Sequence, residues 1–397
     1  MKTNISIVPK LLGKNFGMSV KTLFKFIKLF LTRASKRRTY GYNHMKNLCL
    51  VYMKLTPLCN LKCVMCGQRG DKGVLKGKKG IEEAKKLVDL ETYKKMADEL
   101  SERKPIYYIW GGEPLLYPDV FPLIRYIKSK GSIVSVNTNG TLLEKNAEQI
   151  VKDQWNALFV SLDAFRDVND EIRGKGSYDK VIAGFKAINE YKKKYKTNLP
   201  FLGVVTTVTN KNYKTLSELA EASKDFNLDW HIYNLGTYTN DEIVQANAEY
   251  YKKHLNTTPY MLEGYNTGYN EGIDGEELHA ILEKIHSTNY GHPSITVPAL
   301  NPEKTHEYYS ELKTQVRNRC IVPWTQANIC FNGDVTFCAD YNEYVLGNIK
   351  EQSFKEIYNG EKANKFRQEI LKCEGQIFPG CVRCYQNMLF GEKVKGY

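Results

Sequence analysis

Cys59, Cys63 and Cys66 stand as Cys-Asn-Leu-Lys-Cys-Val-Met-Cys, directly after the apolar stretch Leu48–Leu55. Three thiolates at this Cys-x3-Cys-x2-Cys spacing can hold three irons of a [4Fe–4S] cube and leave the fourth without a protein ligand. An open iron is a place for a second molecule to bind and react, whereas a fully ligated cube only carries electrons. A structural zinc site would close its tetrahedron with a fourth ligand. None is near: Cys49 falls inside the preceding strand and His44 lies upstream. The triplet points to catalysis.

A second cysteine set lies near the C-terminus. Cys320 and Cys338 are separated by seventeen residues, with Gly333 five before Cys338, and Cys381-Val-Arg-Cys384 follows about forty residues later. Four thiols suffice for one closed [4Fe–4S] cube. A four-cysteine zinc ribbon is the alternative, weakened because the second Cys-x2-Cys knuckle is missing. Phe331-Asn332-Gly333-Asp334-Val335 reads as a hairpin with Asn332-Gly333 at its tip. Cys330 in that hairpin and Cys373 near a helix end read as buried or spare thiols.

Such sites need a scaffold, and the intervening sequence supplies one. Apolar strands are expected at Leu48–Leu55, Ile106–Trp110, Ile133–Asn137, Leu158–Leu162, Leu202–Val208 and Asp229–Tyr233. Helical patterns alternate with them near Leu90–Arg103, Val120–Lys130, Leu143–Lys152, Tyr178–Lys194 and Tyr213–Phe226. This alternation is the signature of a parallel α/β sheet. Chemistry in such sheets sits at the carboxyl ends of the strands. Cys59, Gly111, Asn137 and Ser161 all fall there.

The triplet and its ordered companions resemble the radical S-adenosylmethionine enzymes. Trp110-Gly111-Gly112-Glu113-Pro114 matches the Gly-Gly-Glu motif of that family. Val136-Asn137-Thr138-Asn139-Gly140, Val160-Ser161-Leu162-Asp163 and Asp170-Glu171-Ile172-Arg173-Gly174 look like its later segments. The resemblance covers about residues 48–235 and implies a partial (β/α)6 parallel barrel. A second resemblance, to the SPASM/twitch extension, rests on the C-terminal cysteines, Pro323-Trp324, Leu346-Gly347-Asn348-Ile349 and Ser353-Phe354-Lys355-Glu356-Ile357-Tyr358. It implies a small iron–sulfur domain of a β-hairpin plus helix over 311–397, following the barrel at 46–310.

The family likeness implies the site's occupants. S-adenosyl-L-methionine would chelate the open iron, and an electron from the reduced cube would release methionine and a 5′-deoxyadenosyl radical that abstracts a substrate hydrogen. Gly111 and Gly112 would let backbone approach this cofactor. Glu113 would accept a hydrogen bond from its ammonium group, and Asn137 would meet the ribose hydroxyls. Ser161 and Arg173 would hold the methionine carboxylate. The auxiliary cube at Cys320, Cys338, Cys381 and Cys384 would accept or relay an electron, which favours an oxidation. A reducing donor such as flavodoxin or ferredoxin is implied as partner. A non-catalytic iron–sulfur carrier on the same fold is the contrasting class.

Composition sets limits. With 397 residues, 42% hydrophobic, and no low-complexity tract, the chain is globular and long enough for a catalytic domain and a smaller one. Ten cysteines without a signal peptide, at metal-ligand spacings, fit a reducing cytoplasm better than disulfides. Of the net charge of +13, residues 1–45 carry ten Lys and Arg and no acid, so a global nucleic-acid surface is not indicated. In this arm Leu23, Phe24, Ile27, Phe30 and Leu31 share one helical face, with Lys21, Lys25 and Lys28 on another. Such a helix can lie on an anionic membrane surface or pack on the enzyme's own barrel; its lysines bar it from spanning a bilayer.

Substrate is less legible. The 58 residues before Cys59 are short for the winged-helix recognition domain of many peptide maturases. This leans the expectation toward a small or lipid-linked glycan-pathway molecule, with a peptide or protein substrate as the alternative. Residues 238–310 depart most from the family and are expected to shape substrate access. His231, His279 and Glu277 are acid–base candidates there, though satisfied or exposed roles suit them better.

Overall fold

The alternation of apolar runs and amphipathic helices becomes a wound parallel sheet in the computed structural model, which describes residues 44–373 and 377–393. Seven parallel strands follow chain order: β1 (Leu50–Lys54), β2 (Ile106–Trp110), β3 (Ile133–Thr138), β4 (Ala157–Ser161), β5 (Phe201–Thr207), β6 (Trp230–Asn234) and β7 (Ser294–Val297). Returning between them are α1 (Leu90–Glu99), α2 (Val120–Ser129), α3 (Leu143–Lys152), α4 (Arg166–Arg173), α5 (Ser177–Lys194) and α6 (Leu216–Ala222). The partial parallel barrel is as expected, with a seventh strand added. That strand follows α7 (Asp241–Leu255) and α8 (Gly275–Ser287), which lengthen the last crossover and hide the βα rhythm.

Period-two alternation sorts the side chains. Val51, Met53, Tyr107, Ile109, Val134, Val136, Leu158, Val160, Leu202 and Val204 face the helices and form the main core. Leu50, Tyr52 and Ile106 face the other way, against Ile321, Ala339 and Phe390 of the C-terminal region. On that inner face aromatic rings follow one another: Tyr52 to Tyr108 at 5.3 Å, Tyr108 to Phe159 at 5.5 Å, Phe159 to Trp230 at 5.3 Å. Small residues make the room. A Cβ on Gly203 would meet the Trp230 indole nitrogen at 1.8 Å.

The C-terminal region continues the same sheet. β8 (Arg317–Arg319) and β12 (Glu392–Lys393) form a separate two-stranded sheet, while β9 (Gln326–Ile329) runs parallel to β1 on the edge opposite β2. β10 (Asp334–Thr336) and β11 (Gly347–Asn348) add antiparallel strands beyond it. The expected hairpin is therefore β9–β10, with Gly333 at φ 95° in its turn. Ser353 and Glu356 form a capping box that starts the helix Phe354–Asn359. The amphipathic segment 20–31 lies outside the described residues.

Candidate active site

Two strand-end loops are stitched together by backbone. Past β1, Thr56 and Leu58 offer carbonyls to the N–H groups of Gly112 (2.8 Å) and Glu113 (2.7 Å) past β2. Gly111 sits at φ 142°, a conformation other residues rarely adopt. A Cβ on Gly112 would lie 1.9 Å from the Leu58 carbonyl oxygen. The two glycines are thus required by the approach of one loop to the other, a need distinct from the ligand approach expected above. Gly112→Ala should push Leu58, and with it Cys59, out of place. The expected cost is about 3 kcal/mol or more, the upper end for overpacking, with reduced iron incorporation. Urea unfolding and iron analysis check both.

The loop so held carries Cys59, Cys63 and Cys66 into one cleft of about 310 Å³ at the carboxyl ends of the strands, shared with Gly111, Gly112, Asn137, Ser161 and Arg173. Val64 donates to the Ile172 carbonyl at 2.9 Å, tying the loop to α4. The Cys59 sulfur accepts from the Leu61 N–H at 3.4 Å and the Asn139 amide at 3.6 Å; that of Cys63 accepts from Arg173 Nη1 at 3.9 Å. Burial raises the Cys59 thiol and pushes Cys63 up to about 12, with the neighbouring thiols adding to it and Arg173 opposing. Thiols this resistant to ionisation become thiolates only beside cationic partners, which the irons of a cube are. The donor set and its N–H···S contacts fit that group.

The remaining expected residues divide. Asn137 and Ser161 face one another in the cleft, the hydroxyl donating to Asn137 Oδ1 at 3.4 Å. Arg173 is buried, its Nε 2.7 Å from Asp163 Oδ2, and Asp163 also accepts from the Thr207 N–H at 2.8 Å. Its charge is therefore already paired, and its visible partners are Asp163 and Cys63. Glu113, expected to accept from the cofactor's ammonium, has partners within the chain. It is fully buried below the cleft, and its carboxylate accepts from Leu115 N–H (3.1 Å), Thr138 Oγ1 (2.8 Å) and Asn139 N–H (2.8 Å). Burial raises it to about 7 against those three donors. It braces the end of β3 from beneath and is not among the cleft-lining residues.

The C-terminal quartet also gathers. Burial opposes ionisation of Cys338 first, then Cys384 and Cys320; for Cys381 it is burial, then Cys384, Cys338 and Cys320. All four lie within electrostatic range of one another, as Cys373 does of Cys381, and among the described residues no three His, Cys, Asp or Glu side chains are arranged as a metal site. Cys330 is buried outside this group, accepting from Asn342 (2.9 Å) and Asn328 (3.4 Å). Cys373 contacts the Tyr250 hydroxyl at 3.5 Å. None of the ten cysteines is in a disulfide.

Ala339, Asp340 and Tyr385, adjoining Cys338 and Cys384 in sequence, line the same cleft as the triplet. The sequence singled out neither these nor Tyr265, and it offered Asn139 and Asp163 only as parts of matched segments. Their signal was adjacency: Asp340 is two residues past one cysteine of the quartet, and Tyr385 is one past another.

The acid–base candidates lie elsewhere. Glu277 meets Tyr213 and Lys214, and His279 meets Thr305 and Glu283. His231 is fully buried. Thr206 donates its hydroxyl to the Leu162 carbonyl at 2.6 Å, so it accepts from His231 Nε2–H at 2.8 Å, leaving Nδ1 for the Tyr233 hydroxyl at 3.2 Å. Burial, reinforced by His292, drives the His231 pKa well below its usual value. The unfolded chain then binds the extra proton first. Stability from this group is full above about pH 6.5 and should fall by about 1.4 kcal/mol per pH unit below it. Urea midpoints between pH 7.5 and 5.5 check this, and His231→Gln should remove about one proton from the slope.

Comparison with known proteins agrees with this geometry. Residues 53–222 match the family model of the radical SAM superfamily, and residues 320–385 match that of an iron–sulfur cluster-binding domain, SPASM. The chain is 27% identical over 356 residues to an AdoMet-dependent heme synthase of Methanosarcina barkeri, covering 88% of this chain and 92% of that one. It is 24% identical to the antilisterial bacteriocin subtilosin biosynthesis protein AlbA of Bacillus subtilis, covering 91% and 73%. In fold it is similar to Streptococcus suis SuiB bound to S-adenosylmethionine, with a TM-score of 0.59 at 15% identity, covering 98% and 86%. Among the described residues no helix is long and apolar enough to cross a membrane.

Proposed function

Because the chain belongs to the radical SAM superfamily and carries a SPASM iron–sulfur domain, we propose that it is a radical S-adenosylmethionine oxidoreductase whose substrate lies between two cluster sites. The observation that carries this reading is the shared cleft. One wall bears Cys59, Cys63 and Cys66, and another bears Ala339, Asp340 and Tyr385 beside the quartet. The open cube and S-adenosylmethionine supply, when bound, a 5′-deoxyadenosyl radical able to take a hydrogen atom from substrate.

The chain's own part is placement. The Gly111–Gly112 loop keeps the cysteine loop in register; Asn137 and Ser161 offer hydrogen bonds to ribose and carboxylate. Arg173, paired to Asp163, directs an N–H at Cys63 and has further donors for the methionine carboxylate. Tyr52, Tyr108, Tyr265 and Tyr385 make a largely aromatic wall that limits water at the reacting carbon.

The substrate reading is an oxidation at a hydroxyl- or amine-bearing carbon. The hydroxyl- and amide-rich lining, including Asn139, Thr207, Thr237 and Asn270, supports a small or lipid-linked glycan-pathway molecule. Similarity to the subtilosin biosynthesis protein supports a peptide as the second reading. A flavodoxin- or ferredoxin-type electron donor, a cytoplasmic setting and peripheral membrane contact through the arm belong to the same proposal. The test is release of 5′-deoxyadenosine by anaerobically reconstituted, reduced protein. Two-electron oxidised product should follow with the true substrate; no release at all would leave only an electron carrier.

A further inference from the structure

Among the described residues lining the cleft, the acidic and basic side chains are Asp340 and Arg173. Arg173 is neutralised by Asp163 at 2.7 Å. Asp340 differs. Its Oδ1 accepts from the Tyr265 hydroxyl at 3.0 Å, and no cation lies within ion-pair distance of it among the described residues. Tyr265 is itself set edge-on against Tyr341, rings 5.8 Å apart. The buried Lys54 lies in the field of Asp340 without reaching ion-pair distance, and its ammonium sits over the rings of Trp110 (5.6 Å) and Phe331 (5.7 Å).

We propose that Asp340, oriented by Tyr265, is the substrate anchor of the cleft: it accepts a hydroxyl or ammonium hydrogen of the substrate on the side facing the auxiliary quartet, and it selects against a carboxylate there. The proposal rests on the oxidoreductase reading for its purpose, since the anchored group is the one whose carbon would be oxidised, two residues from the ligand Cys338. The recognition itself rests on the cleft. An acceptor built into an aromatic, poorly hydrated site favours a ligand that donates to it and rejects one that cannot, because an unmet polar group stays desolvated. Tyr52, Tyr108, Tyr385 and Trp110 line the same cleft, and aromatic rings attract an alkylammonium. A second anion against the Asp340 carboxylate would meet repulsion there.

Three probes of one shape separate the cases: benzylamine, benzyl alcohol and benzoate, titrated calorimetrically into anaerobically reconstituted protein loaded with S-adenosylmethionine. Benzylamine and benzyl alcohol should each bind at least tenfold tighter than benzoate. Asp340→Asn should weaken benzylamine at least tenfold and change benzyl alcohol much less, because an amide oxygen still accepts. Tyr265→Phe should keep the parent's order with a smaller spread. Benzoate binding as well as the other two in the parent would overturn the anchor, and this comparison needs no variant to fold. An Asp340→Asn protein that keeps its iron and the parent's order would overturn it equally. The readout is binding without turnover, so failure of the anchor is distinguishable from failure to release 5′-deoxyadenosine, which bears on the oxidoreductase reading.

Discussion

Alanine at Cys59, Cys63 and Cys66 together should reduce 5′-deoxyadenosine release to background and lower iron from about eight to about four per chain. The geometry explains why the loss should be complete at one site and absent at the other. The triplet's loop is fastened by backbone, through Thr56, Leu58 and Val64, so removing three sulfurs leaves its path in place. Cys320, Cys338, Cys381 and Cys384 belong to the C-terminal region and should keep the cube proposed for them. Any single substitution in the triplet should also abolish cleavage, because the open iron is presented only while the other three are held. Iron analysis, electron paramagnetic resonance of the reduced protein and chromatography of the cofactor products read the result. Undiminished cleavage in the triple variant would sink the radical mechanism for this chain.

How much of this was readable in advance follows from the range of the interactions. β2 has the same limits in sequence and structure, because Ile106–Trp110 is a continuous apolar run with turn residues on both sides. The helix Leu143–Lys152 is likewise where its 3.6-residue pattern puts it. β7 was not visible: Ser294–Val297 is four residues long and only half apolar, and becomes a strand by pairing with His231–Asn234. The helices after β6 carried good start signals, since Asn240, Asp274 and Asn301 all cap them. Those signals went unused within a stretch read only as divergent.

Site residues show the same division. Cysteine spacing is a local property, and it singles out the quartet without any knowledge of the fold. Burial is not local. Glu113 stands in sequence beside two glycines, and its donors Thr138 and Asn139 come from the end of another strand. Arg173 reads as a free loop cation until α4 turns it back on Asp163. The pairing of Asp340 with Tyr265 spans 75 residues and two elements, and no period or motif announces it.

The double variant Cys381→Ala, Cys384→Ala should separate the two halves of the chemistry. Product formation should fall to background, while 5′-deoxyadenosine release continues at a substantial fraction of the parent rate without being matched by product. The expectation of uncoupling, as opposed to collapse, comes from Arg383 between the two cysteines. It is fully buried, and its guanidinium donates to the carbonyls of Thr314 (2.8 Å), Tyr308 (2.8 Å) and Glu311 (3.1 Å). Those bonds hold the Cys-x2-Cys segment without help from the sulfurs. The cleft wall formed by Tyr385 should therefore survive, and with it cofactor cleavage at the triplet. What is lost is the closed cube that the oxidoreductase reading needs as electron acceptor, so a substrate radical formed there has no outlet and is quenched or returned. Iron should again fall by about half. Product formed at the parent rate would remove the auxiliary cluster from the reaction. Zinc in the quartet of anaerobically purified parent protein would remove it from the molecule. Loss of cofactor cleavage together with product would mean that the cluster, and not Arg383, holds this end of the fold.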